Sequence, residues 1–161
     1  MKQYAIGPGQ RFPYGVTTDS QGTNFSIWGL RSTGAELLLF ENAQSREPFQ
    51  VVKLDPVENR TYYCWHVYVY GLPTGVLYAW RLDGPNNTRE TGNRFDREKA
   101  LLNPQARAVS SSLWDRKRAS LPGDNSDASM RGIVVSDEGY DWEGDHPINR
   151  DHAQSVIYEM H

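Results

Sequence analysis

The polar and apolar positions of the chain alternate in short bursts. Over residues 23–30, Phe25 and Ile27 point one way while Asn24, Ser26 and Trp28 point the other, the two-residue period of a half-buried strand. Residues 7–15 before it are punctuated by glycine and proline and read as a leading loop. Residues 32–34 turn the chain. Residues 35–40 form an apolar run too short for a helix and bounded by polar clusters, so they predict a buried strand. Residues 49–54 are a third strand candidate, followed by a polar turn over 55–60. The clearest strand covers residues 61–70. Tyr63, Trp65, Val67 and Val69 fall on one face, and Tyr62, Cys64, His66, Tyr68 and Tyr70 on the other. Gly71-Leu72-Pro73-Thr74-Gly75 then turns the chain, and residues 76–83 return with Val76, Tyr78, Trp80 and Leu82 on one face. Two aromatic strands across a Gly/Pro loop predict a hairpin.

The spacing changes in the second half. Residues 94–108 are charged and mixed, with one helical turn expected over 96–102, ended by Asn103-Pro104. Residues 110–129 read as loop around Pro122-Gly123-Asp124-Asn125, and 132–135 as a short strand. An acidic loop with Tyr140 and Trp142 covers 137–145, and a final apolar strand covers 155–160. Short, regularly spaced strands with few helical patterns predict an all-β antiparallel sandwich with long irregular loops in its second half.

Composition narrows the function classes. The 161 residues fit one domain with a tail, or two very small ones. Apolar residues at 38% and charged residues at 23% are globular values, and the five Trp, nine Tyr and five Phe suit strands. The net charge of -3, with no lysine or arginine run, argues against nucleic acid or an anionic membrane as partner. Cys64 is the only cysteine, so disulfide frameworks and thiolate clusters are excluded, and a reducing, cytoplasmic location is expected. Neither a signal peptide nor a membrane-length apolar run is visible.

Catalytic patterns are missing. A glycosidase needs two carboxylates facing each other on rigid supports. Asp137, Glu138, Asp141, Glu143 and Asp145 cluster on a glycine-containing loop and read as a solvated face. His66, His146, His152 and His161 share no metal-ligand spacing, and there is no nucleophile elbow or phosphate loop. No catalytic residue, metal site or cofactor is therefore expected. Aromatic rings remain. Sugars present flat C–H faces that pack on exposed rings, with polar groups satisfying the hydroxyls. Trp28, Tyr68, Tyr70, Trp114 and Trp142 are the glucan-binding candidates, with Tyr62 and Tyr140 beside them. Burial of these rings under the second-half loops is the competing reading. Trp65 and Trp80 lie on inward faces and read as core.

Residues 71–85, Gly-Leu-Pro-Thr-Gly-Val-Leu-Tyr-Ala-Trp-Arg-Leu-Asp-Gly-Pro, carry a resemblance. They are similar to the N-terminal domain of isoamylase-type glycogen debranching enzymes of glycoside hydrolase family 13, a domain of carbohydrate-binding module family 48. The likeness extends to Gly22-Thr23-Asn24-Phe25-Ser26-Ile27-Trp28, to Leu101-Leu102-Asn103-Pro104, to Tyr140-Asp141-Trp142-Glu143-Gly144-Asp145 and to Ile157-Tyr158-Glu159-Met160-His161. It implies an immunoglobulin-like sandwich module over 1–110, a loop-rich extension and linker over 111–154, and the cut first strand of an absent catalytic barrel over 155–161. The implied function is non-catalytic: positioning or weakly binding glycogen or starch for an α-1,6-glucan hydrolase. The partners it implies are that barrel domain or a second copy, through 155–161. The alternative is a stand-alone glucan-binding or scaffold protein. Binding members of the family carry a lysine after the aromatic that Tyr78 resembles and a tryptophan shortly after the Asp-Gly. Here Ala79 and Asn86 hold those places, which implies weak or no affinity for glucan alone.

Overall fold

The clearest predicted strand sits at the centre of one sheet. The computed structural model describes residues 3–136 and 141–160; Asp137, Glu138, Tyr140 and His161 of the sequence reading lie outside them. In chain order the strands are β1 (Ile6–Gly7), β2 (Gly15–Asp19), β3 (Gly22–Trp28), β4 (Gly34–Phe40), β5 (Gln50–Lys53), β6 (Arg60–Thr61), β7 (Cys64–Tyr70), β8 (Leu77–Asp83), β9 (Val109–Ser110) and β10 (Arg131–Ile133). The first sheet runs β1–β7–β3–β2, with β6 also on β7, and the second runs β5–β4–β8–β10–β9. Every pairing between these strands is antiparallel. This is the expected sandwich.

Register explains the core. On the first sheet Phe25 pairs with Val67 and Ile27 with Trp65. On the second Leu37 pairs with Trp80 and Leu39 with Tyr78. These side chains face each other between the sheets and are buried, with Phe25 and Tyr78 meeting edge-on at 5.1 Å. Each such side chain contributes about 1.5–3 kcal/mol by leaving water.

The outer face of the second sheet is apolar too. Leu38, Phe40, Leu77 and Ala79 are buried there under Ala100. The loops of the second half form this cover. Asn125 Oδ1 accepts from the Ala100 amide at 2.7 Å, and the Lys99 ammonium donates to the carbonyls of Ala119, Leu121 and Gly123. Arg131 stacks its guanidinium 3.7 Å from the Phe40 ring and donates to Ser126 O.

Four expectations change. The hairpin over 61–83 is absent: β7 and β8 belong to different sheets, and Gly71–Gly75 crosses between them. Both strands carry a wide apolar face, and facing each other across the core buries both faces, which side-by-side pairing leaves to other layers. The helical turn over 96–102 is also absent. That segment is irregular and Leu101 bridges to Trp80, while among the described residues the α-helices are α1 (Thr88–Thr91) and α2 (Arg116–Ala119) and a 3-10 turn covers His152–Gln154. Tyr63 leaves the inward row because Thr61 pairs with Cys64, which puts Tyr62 and Tyr63 at a hairpin tip. Residues 155–160 form no strand and lie exposed, Tyr158 at 85%. No helix among the described residues is long and apolar enough to cross a membrane.

Candidate functional site

The polar positions of β3 and β7 that face away from the core are not solvated. They hold a strap, residues 8–14, across the outer face of the first sheet. Asn24 accepts from the Gln10 amide at 2.8 Å and donates to the Gln10 carbonyl at 3.0 Å. Ser26 Oγ donates to Arg11 O at 2.6 Å. His66 Nδ1 donates to Pro8 O at 2.7 Å, and its Nε2 lies 2.9 Å from Thr61 Oγ1. A buried amide, hydroxyl and imidazole thus serve the strap backbone, which has no ladder partner of its own there.

Where the strap ends, the face opens into a cleft of about 330 Å3 walled by Gly9, Thr17, Asp19, Asn24, Tyr68 and Tyr70. Tyr68 and Tyr70 alternate outward from β7, and their rings meet edge-on at 4.9 Å. The Tyr68 hydroxyl donates to Asp19 Oδ1 at 2.5 Å. The same oxygen accepts from the Gln21 and Gly22 amides at 2.7 and 3.0 Å, so Asp19 closes the β2–β3 turn and aims Tyr68. All three bonds fall on Oδ1, which leaves Oδ2 to accept from a ligand hydroxyl.

Electrostatics follow from this contact. Hydrogen bonds from the Tyr68 hydroxyl and then the Gln21 amide hold the Asp19 carboxyl below its usual range. Burial, and next the bond to Asp19, push Tyr68 up to about 12. Because folding lowers the Asp19 value, its contribution to stability is complete above the unfolded value of about pH 4 and is lost as pH falls through the folded value. Because folding raises the Tyr68 value, its contribution holds below about pH 10 and is lost as pH rises toward about 12. Asp19→Asn is therefore expected to flatten the acid limb of a pH–stability curve and to move Tyr68 ionisation down from about 12, read by tyrosinate absorbance. An unchanged Tyr68 titration contradicts this assignment.

The structure divides the five sequence candidates. Tyr68 and Tyr70 share the cleft. Trp28 is on the same outer face but at the opposite end of β3, paired with Cys64, whereas Tyr70 pairs with Gly22. Trp114 lies beyond β9, at the far edge of the second sheet. Trp142 sits in an exposed turn closed by Asp145 N to Trp142 O at 2.8 Å. The five do not form one platform. Asp19, Thr17 and Asn24 were not foreseen as site residues. Asp19-Ser20-Gln21-Gly22 is a readable turn, but its contact with a tyrosine 49 positions away is tertiary. Ala79 is fully buried beneath Ala100, so the place where binding relatives are expected to carry a lysine is closed. A larger cleft of about 440 Å3 on the second sheet includes Glu36, Lys53, Arg81 and Asp124 and has no aromatic ring. Arg81 is paired there with Asp124 at 2.8 Å and Glu36 at 3.8 Å. Two rings, one carboxylate, a threonine and an amide suit a neutral polyol; the paired charges of the other cleft do not.

Two packed antiparallel sheets define a β-sandwich of the immunoglobulin-like kind. The model of carbohydrate-binding module 48, the isoamylase N-terminal domain, matches residues 13–106, and the chain belongs to that family. It is 34% identical to isoamylase 1, chloroplastic, of Arabidopsis thaliana, across 99% of this chain and 20% of that protein. It is 38% identical to the glycogen debranching enzyme of Serratia proteamaculans, across 97% of this chain and 23% of the enzyme. The chain thus spans about a fifth of the length of these relatives. A pullulanase from Bacillus acidopullulyticus superposes with a TM-score of 0.55 at 19% identity, covering 83% of this chain and 13% of that one. That likeness concerns the fold.

Proposed function

We propose that this chain is a non-catalytic α-glucan-binding module that positions an α-1,6-glucan hydrolase of the debranching type on glycogen or starch. The observation that carries the reading is the Tyr68–Tyr70 ring pair beside Asp19 in the strap-bounded cleft. Membership of a carbohydrate-binding family supports the ligand class, and the debranching relatives support the polymer. Affinity is weak, because the cleft offers two rings and Ala79 closes the second sheet. The exposed run of Val156, Ile157, Tyr158 and Met160 is assigned to contact with a catalytic barrel domain or a second copy. The free, buried thiol of Cys64 suits a cytoplasmic, reducing compartment.

The test is native electrophoresis through gels containing glycogen. The wild-type chain is expected to be retarded, and Tyr70→Ala to bind about tenfold more weakly, as loss of a ring contact worth ~1.4 kcal/mol requires. Equal retardation of both proteins removes the cleft from the reading. A wild-type chain that glycogen does not retard removes the function.

A further inference from the structure

The first sheet carries a second group of exposed aromatic rings, at the end away from the Tyr68–Tyr70 cleft. Thr61 pairs with Cys64, so Tyr62 and Tyr63 alone connect β6 to β7. Tyr62 has a φ of 56°, the left-handed backbone that favours glycine or asparagine. The residue is 79% exposed, so core burial gives no reason for a tyrosine there. A strained, exposed aromatic outside the core points to a use of the ring itself. Phe12, Trp28 and Tyr63 are each about half exposed, and Trp28 pairs with Cys64 at the same end of the sheet. Gly29 N donates to Tyr63 O at 2.7 Å, which ties the tip to the end of β3 beside Trp28.

This group is braced in place. The Arg11 guanidinium lies 5.2 Å from the Phe12 ring and 5.8 Å from the Tyr62 ring, bridging the two. Arg60 Nε donates to Tyr62 O at 2.9 Å and stacks 4.9 Å from the Trp65 ring, so it secures the strained turn from below. Rings already held lose little freedom when a ligand arrives. Both guanidinium groups are engaged with rings and a carbonyl, so the tip offers apolar faces and N–H edges to a neutral ligand. An exposed hairpin tip suits a chain laid across it, not a small molecule enclosed by it.

We infer that Tyr62, with Phe12, Trp28 and Tyr63, forms a second α-glucan contact, separate from the Tyr68–Tyr70 cleft; this rests on the glucan-binding reading proposed above. Tyr62 and Tyr70 are eight positions apart along β7 and its turn, roughly 25 Å at the rise of a strand. A glucan polymer reaches both contacts and gains avidity, whereas a short oligosaccharide occupies one at a time.

The experiment compares wild type, Tyr62→Asn, Tyr62→Phe and Tyr70→Ala on glycogen-containing native gels, with maltotriose titrated into each by calorimetry. Asparagine suits the left-handed backbone, so Tyr62→Asn is expected to keep or raise the melting temperature. It should weaken glycogen retention about tenfold and change total maltotriose binding far less. Tyr62→Phe should behave as wild type. Wild-type glycogen retention in Tyr62→Asn, with Tyr70→Ala weakened, overturns the second contact and leaves the cleft standing. Loss of self-association in Tyr62→Asn with glycogen retention intact makes the tip a protein interface and overturns it equally. Failure of glycogen to retard any of the four proteins overturns both readings.

Discussion

Replacing Trp65 with alanine is expected to remove about 4–6 kcal/mol of folding stability. Trp65 is fully buried near the start of β7, opposite Ile27 in the register and inside the main core. Its indole Nε1 donates to Ser32 Oγ at 2.7 Å, and that hydroxyl donates onward to Gly29 O at 2.6 Å. Truncating a buried tryptophan to alanine removes about 3–5 kcal/mol through lost burial and the cavity left behind. The orphaned Ser32 oxygen adds about 1 kcal/mol. A domain of this size has a total stability of about 5–15 kcal/mol, so one substitution consumes roughly a quarter or more of it. Urea unfolding followed by far-ultraviolet circular dichroism reads the effect without relying on tryptophan emission. A loss below about 1.5 kcal/mol would show that the core collapses around the gap or that Trp65 is not the keystone of β7.

The second large effect belongs to Gly9, in the strap. Its φ is 73°, and a Cβ there would lie 2.6 Å from the Val67 carbonyl carbon and 2.8 Å from both Asn24 Oδ1 and the Tyr68 amide. The strap lies this close to β7 because no side chain intervenes. Gly9→Ala combines a left-handed backbone penalty of about 1–2 kcal/mol with overpacking of about 1–3 kcal/mol against backbone that cannot move aside. The strap is expected to lift, releasing Asn24 from Gln10 and opening the wall of the tyrosine cleft. Gly9→Ala should therefore lose about 2–4 kcal/mol in urea unfolding and also lose glycogen retention. Amide exchange near Gln10 should accelerate more than exchange in β4. Stability and retention both at wild-type level would mean that the strap does not shape the cleft.

These two residues differ in how legible they were. Trp65 stands in an unbroken alternation with Val67 and Val69, and a two-residue period specifies which side chains a half-buried strand turns inward. The pattern was equally clear for Tyr78, Trp80 and Leu82, and all are core. It was silent for β2, where Gly15-Val16-Thr17-Thr18-Asp19 has one apolar residue and pairs because β3 is already in place. It misled over 61–83: alternation reports which face is buried but not which strand lies beside which, and β7 and β8 oppose each other across the core. The cleft was half legible. Tyr68 and Tyr70 read correctly as outward rings, while Trp114 and Trp142 have the same composition and lie elsewhere.

The sequence by itself determined that this chain is an antiparallel β-sandwich, that Trp65 and Trp80 are core, and that its resemblance lies with carbohydrate-binding module 48, to which it belongs. Those properties reside in period-two patterning and ordered local motifs, both carried by neighbours along the chain. Only the tertiary structure decided that Asn24, Ser26 and His66 hold a strap instead of facing water. It likewise decided that Ala79 is roofed over and that Asp19 meets Tyr68. Each of these depends on segments distant in sequence arriving at one face, and a polar side chain looks the same in a sequence whether its partner is solvent or a backbone carbonyl.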